Sequence, residues 1–178
     1  MEEKQTSLSM HSMIYGAGTG LGMIVLTLIL YVSNLYMNQT LGYIAYLVLI
    51  AGMVIGSLQY RKFQLKGFMT YGQAFSVNFL IGLFASIVSI IFFFFYVKYI
   101  NTGMIEELLA MTRTKMEAKA GSMSQDQMDQ AMAMTEKFMN PVWMVIWGFL
   151  AYAFMSAIFA LIIGIFIKKN DPNAPTMI

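Results

Sequence analysis

Four stretches of this chain, about residues 12–36, 41–60, 71–96 and 141–167, carry no charged side chain. An α-helix rises 1.5 Å per residue, so roughly 20 apolar residues cross the ~30 Å hydrocarbon core of a bilayer. Each stretch is long enough. In lipid, every backbone N–H and C=O must be paired within the segment, which makes the helix the spanning element for such runs. Composition agrees: charged residues are 11% of the chain and mean hydropathy is +0.65, against about 25% charged residues in a soluble domain. The chain therefore reads as an all-α integral membrane four-helix bundle, a single membrane domain over 1–178. Glu2 and Glu3 stand where a secretory signal peptide would be basic, so the first apolar run is expected to remain as a span.

Charge placement orients the spans. Lys4 precedes the first, Arg61, Lys62 and Lys66 lie in a 61–70 loop, and Lys168 and Lys169 follow the fourth. The "MNQT" connection at 37–40 has no charge. Lys and Arg favour the cytoplasmic side, so both termini and the 61–70 loop are expected inside. The segment between spans three and four is then outside. It holds Lys98, Arg113, Lys115, Lys119 and Lys137 together with six acidic residues, and long segments translocate largely regardless of charge. Tyr31, Tyr36, Tyr43, Tyr46, Trp143 and Trp147 cluster near span ends, where amphipathic rings anchor at headgroup level.

The outer segment, 101–140, changes character. Ile105, Leu108, Leu109 and Met116 recur at helical spacing, and Gly121 reads as a helix end. Ser124 to Gln127, "SQDQ", is a capping-box pattern opening a second helix, with Met128, Met132, Phe138 and Met139 as its apolar face. Asn140-Pro141 then interrupts the chain before the last span, because a residue before proline avoids the α region. An amphipathic helical hairpin is expected. Eight of the eighteen methionines fall here. Thioethers suit Cu(I), but methionine is also a flexible apolar filler of adaptable surfaces. The helical spacing favours packing or partner contact, and no metal or cofactor is expected.

The first span opens with "YGAGTGLG". A dinucleotide fingerprint needs G-x-G-x-x-G between a strand and a helix, and this spacing and context differ. Spans pack where small residues let backbones approach. Gly16 with Gly20, Gly52 with Gly56, Gly82, and Ser156 with Ala160 and Gly164 give each span such a seam. A spare seam, Gly18 with Gly22, leaves a homo-oligomer open. "MIYG" at 13–16 recurs as "MTYG" at 69–72, a weak sign of hairpin duplication.

Chemistry has little to work with. No cysteine is present, which removes disulfides, thiolate metal sites and thiol catalysis. The spans as drawn hold no Asp, Glu, Lys, Arg or His, the groups that mark proton relays and membrane catalysis. No HExxH, GxSxG or P-loop occurs. His11 reads as an interfacial residue, and Asn78 as a hydrogen-bonding partner for a neighbouring span. Net charge of +2 gives no footprint for nucleic acid.

"YRK" at 60–62, "KGFMTYGQAF" at 66–75, the Met-rich outer segment and "NP" at 140–141 together resemble domain-of-unknown-function family 4199, small four-pass membrane proteins of Bacteroidota. The resemblance implies a bacterial inner-membrane location. It also implies an accessory link to lipid-linked sugar metabolism, beside a membrane glycosyltransferase, and carries no functional residues. The expected function is a non-enzymatic accessory or scaffold subunit. The alternative is a small lipid or small-molecule transporter or flippase. Arg61, Lys62, Lys66, Tyr71 and Gln73 are the candidate contacts for lipid headgroups.

Overall fold

The computed structural model describes residues 7–119 and 124–172. All regular structure among them is helical. Lys4 and Gly121 lie outside the described residues. Seven helices follow in order: α1 Leu8–Val32, α2 Gln39–Gly42, α3 Ile44–Phe63, α4 Tyr71–Phe95, α5 Met104–Lys119, α6 Gln125–Phe138 and α7 Pro141–Ile167. A π-helical turn, Tyr96–Ile100, extends α4.

Local sequence explains most of the boundaries. The Ser7 hydroxyl accepts from the Met10 N–H and starts α1. The same helix ends four residues before the apolar run does. Leu35 N–H bonds the Leu30 carbonyl at 2.8 Å and Asn34 N–H the Tyr31 carbonyl at 3.0 Å, a Schellman closure. Asn34 takes the left-handed position at φ 53°, which Asn tolerates better than most residues. The connection therefore holds 33–38 and the single turn α2, more chain than the hydropathy pattern allotted.

The chain divides into two units, 1–89 with 150–178, and 90–149. The first packs α1, α3 and the adjoining parts of α4 and α7. Its core is Met23, Leu49, Met53, Ala74, Val77, Ile81, Ala85, Ala160 and Ile163. Each of these elements is apolar around its whole circumference, the mark of a helix surrounded by protein or lipid.

The second unit holds the end of α4, α5, α6 and the start of α7. Here Tyr96, Val97 and Asn101 are buried, and the Asn101 amide donates to the Tyr96 hydroxyl at 3.1 Å. The Ser124–Gln127 capping box forms, with both reciprocal bonds present. Met128 and Met132 of α6 are buried, whereas Phe138 is exposed. Asn140 does more than interrupt the chain. Its side chain accepts from Val142 and Trp143 N–H at 3.1 Å each, so it N-caps α7 with Pro141 at the first helical position.

Among the described residues, four segments are long and apolar enough to span a membrane: 8–32, 39–63, 71–100 and 141–167. Only 22%, 22%, 39% and 28% of their most apolar windows are buried within the protein.

Candidate functional site

In the first unit, α3 and α7 end where α1 and α4 begin, and most candidate residues gather there. Arg61 and Lys62 lie in the last turn of α3. The Arg61 guanidinium donates to the Ile167 carbonyl at 2.6 Å, one of the carbonyls a helix C-terminus leaves open. Its positive charge also complements the negative end of the α7 dipole. Met69 and Lys169 exchange two backbone hydrogen bonds of 2.8 Å, an isolated antiparallel bridge. Together these contacts clasp the turn after α3 to the end of α7.

Within that turn the Gly67 N–H reaches back to the Arg61 carbonyl at 2.8 Å. Two consecutive residues, Lys66 at φ 51° and Gly67 at φ 92°, are left-handed. Thr70 N–H then bonds the Gln73 side chain at 2.9 Å, and Gln73 N–H bonds the Thr70 hydroxyl at 3.3 Å. This is a second capping box, at the start of α4. The Tyr71 hydroxyl donates to the Leu161 carbonyl at 3.3 Å. Its ring lies against Gly164, where a Cβ would stand 3.1 Å away.

The five headgroup candidates thus divide by their bonds. Arg61, Tyr71 and Gln73 hold the turn and the helix ends together. Lys62 and Lys66 are exposed. Lys168 and Lys169, which the sequence reading used only for orientation, are exposed in the same place. Lys169 Nζ lies 5.7 Å from the Phe68 ring centroid and Lys62 Nζ 5.1 Å from that of Phe63.

His11, read from sequence as an interfacial residue, has a burial and a partner that the sequence does not show. Because α1 begins at Leu8, His11 falls inside the helix, and it is 8% exposed. Its Nε2 lies 2.8 Å from the Gly56 carbonyl. The ring stacks on Tyr15 at 4.5 Å and meets Tyr60 edge-on at 4.9 Å. It ties α1 to α3 behind the cationic turn. The partner lies 45 residues away in sequence, so no local pattern announces it.

The small residues of the seams meet several different neighbours. A Cβ on Gly16 would stand 2.5 Å from Phe84 Cβ and 2.7 Å from the Ile81 carbonyl, and one on Gly20 2.8 Å from Val88 Cβ. These two face α4. A Cβ on Gly52 would overlap the Thr19 side chain of α1, and one on Gly56 would stand 2.5 Å from Ile81 of α4 and 3.0 Å from Tyr15 of α1. On Gly82 it would overlap Ser156 of α7. Ala160 is fully buried. Gly18 has nothing within 4 Å, and Gly22 meets only Val48 at 3.3 Å. Gly72, the repeat counterpart of Gly16, is also open, so the two do not share a packing role.

Polar side chains inside the spans mostly bond their own helices. Thr19 donates to the Tyr15 carbonyl, Thr27 to Met23, Ser57 to Met53 and Ser86 to Leu83. Asn78 does the same: its amide donates to the Ala74 carbonyl at 2.8 Å rather than to a neighbouring span. Among the described residues, three fully buried side-chain oxygens have no hydrogen-bond partner: Ser12 Oγ, Asn78 Oδ1 and Ser156 Oγ. Among the described residues, no three of His, Cys, Asp and Glu come together as a metal site.

A family model described as "Protein of unknown function (DUF4199)" matches residues 14–169. The chain belongs to the DUF4199 family. The DUF4199 match runs from the first turns of α1 to Lys169, so it takes in both sides of the 69–169 clasp and stops short of His11. No curated protein and no solved structure matches the chain.

Proposed function

We propose that this DUF4199 chain is a non-enzymatic accessory or scaffold subunit of a bacterial inner membrane. In this reading it crosses the bilayer four times, with both termini and the cationic turn in the cytoplasm. Helices α5 and α6 stand on the outer face and present a methionine-bearing surface to a protein partner. One observation carries the reading. Most of the polar side chains of the spans bond their own helix carbonyls, and the apolar middle of each span has no titratable acid, base or histidine. Proton-coupled carriers and membrane enzymes place such groups there.

Affinity purification of cross-linked membranes from the native host tests the proposal. The expected result is a stoichiometric integral-membrane partner, with a polyprenyl-phosphate glycosyltransferase the class that the family resemblance suggests. Recovery of the chain alone contradicts it. The three unpaired buried oxygens favour a second reading, a small lipid transporter, because a passing headgroup would supply their missing bonds. Scrambling of fluorescent lipid by the purified protein in liposomes would support that reading instead.

A further inference from the structure

Four exposed lysines converge on one end of the first unit: Lys62 at the end of α3, Lys66 in the turn, and Lys168 and Lys169 after α7. The Arg61–Ile167 bond and the Met69–Lys169 bridge bring these three segments together. Among the described residues of that unit, Asp171 is the only acid. The lysines stand directly beyond the apolar runs. Phe166 is 81% exposed and Ile165 56%, one turn above Lys168 and Lys169, and Phe63 is 51% exposed beside Lys62. Cations at a rim, with bare apolar surface immediately behind them, match one kind of ligand: a molecule with an anionic head and hydrocarbon tails.

We propose that Lys62, Lys66, Lys168 and Lys169 form a binding surface for the phosphodiester headgroups of anionic phospholipid. The acyl chains lie along Phe166, Ile165 and Phe63. The inference rests on the reading of α1, α3, α4 and α7 as membrane spans, and it assigns the contact to a set of residues different from the one that sequence suggests. Arg61, Tyr71 and Gln73 hold the surface in shape; Lys168 and Lys169 replace them as headgroup contacts. Lysine suits this task because its ammonium is a mobile point charge that needs no fixed angle of approach. Juxtamembrane basic clusters attract anionic leaflets in the same way.

The full chain, reconstituted in phosphatidylcholine vesicles, tests the proposal with spin-labelled phosphatidylglycerol and spin-labelled phosphatidylcholine as probes. The fraction of each label immobilised by the protein gives their relative association constant. A cation near an anionic bilayer surface contributes about fivefold in affinity. Wild type is therefore expected to prefer phosphatidylglycerol severalfold, and the preference should shrink at 1 M salt, where the screening length falls to about 3 Å. The quadruple variant K62Q/K66Q/K168Q/K169Q should show a ratio near one, and the corresponding quadruple Arg variant should keep the preference. The double variant K115Q/K137Q, altered only in the second unit, should match wild type.

Alkaline carbonate extraction of each sample separates the two possible failures. A chain released by carbonate overturns the spanning reading, and the lipid surface with it. A chain that stays in the membrane, but shows no phosphatidylglycerol preference in wild type or an undiminished preference in the Gln variant, overturns the lipid surface alone.

Discussion

Gly16 and Gly18 are two residues apart on α1 and meet opposite surroundings. A methyl group on Gly16 would press on Phe84 and on the Ile81 carbonyl, a backbone atom that cannot swing aside; on Gly18 it would meet nothing within 4 Å. Overpacking of this kind costs about 1–3 kcal/mol. Gly16→Ala should lower unfolding stability in mixed detergent–SDS micelles by that amount, while Gly18→Ala should stay within about 0.5 kcal/mol of wild type or exceed it, since Ala is the better helix former. Lys66 is the second informative residue. Its φ of 51° costs a side-chain-bearing residue roughly 1–2 kcal/mol. Lys66→Gly should therefore raise stability by about 1 kcal/mol in the same titration, and at the same time weaken the preference for anionic lipid. Opposite signs from one substitution would separate the lysine's electrostatic role from its backbone strain.

At the scale of elements, the capping boxes are the sharpest features. Ser124 and Gln127 are three residues apart, and their pairing is legible because both partners lie in one turn. The Thr70–Gln73 box has the same spacing and is equally local, yet neighbouring lysines draw attention to Gln73 as a headgroup contact. Loss of a cap costs about 0.5–2 kcal/mol. Ser124→Ala should speed hydrogen exchange in the first turn of α6 and leave the spans unchanged. Gln73→Ala should loosen the first turn of α4 by about 1 kcal/mol without altering lipid selectivity; a loss of selectivity would return Gln73 to the headgroup site. What a sequence cannot supply is which helix meets which. Gly16 and Gly52 look like matching seams, but Gly16 faces α4, while Gly52 faces Thr19 of α1. The bond between His11 and Gly56 joins residues on separate spans, and only the assembled helices reveal it. Asn34 is a similar case: hydropathy counts it inside a span, whereas the backbone places it past the end of α1.

For the whole molecule, the decisive quantity is how little of the apolar surface the protein covers for itself. Between 22% and 39% of the most apolar window of each candidate span is buried, and side chains as large as Phe154, Phe166 and Leu47 are more than half exposed. In water this would be a continuous apolar surface far beyond the few hundred Å² that soluble monomers show. In a bilayer it is the surface that lipid covers. The presence of four long apolar helices is legible in uncharged run lengths, because a bilayer imposes a length that few other environments demand; their ends are not, since α1 runs over Leu8–Val32 rather than 12–36. Their direction is the central claim, and a chain with no cysteine allows a direct test. Single cysteines at Ser9, Thr40, Ala133 and Asn170, all exposed positions, can be probed with a membrane-impermeant maleimide on spheroplasts before and after permeabilisation. The account predicts immediate labelling of Thr40→Cys and Ala133→Cys, and labelling of Ser9→Cys and Asn170→Cys only after permeabilisation. Immediate labelling at 9 and 170, or the same behaviour at all four positions, would contradict it.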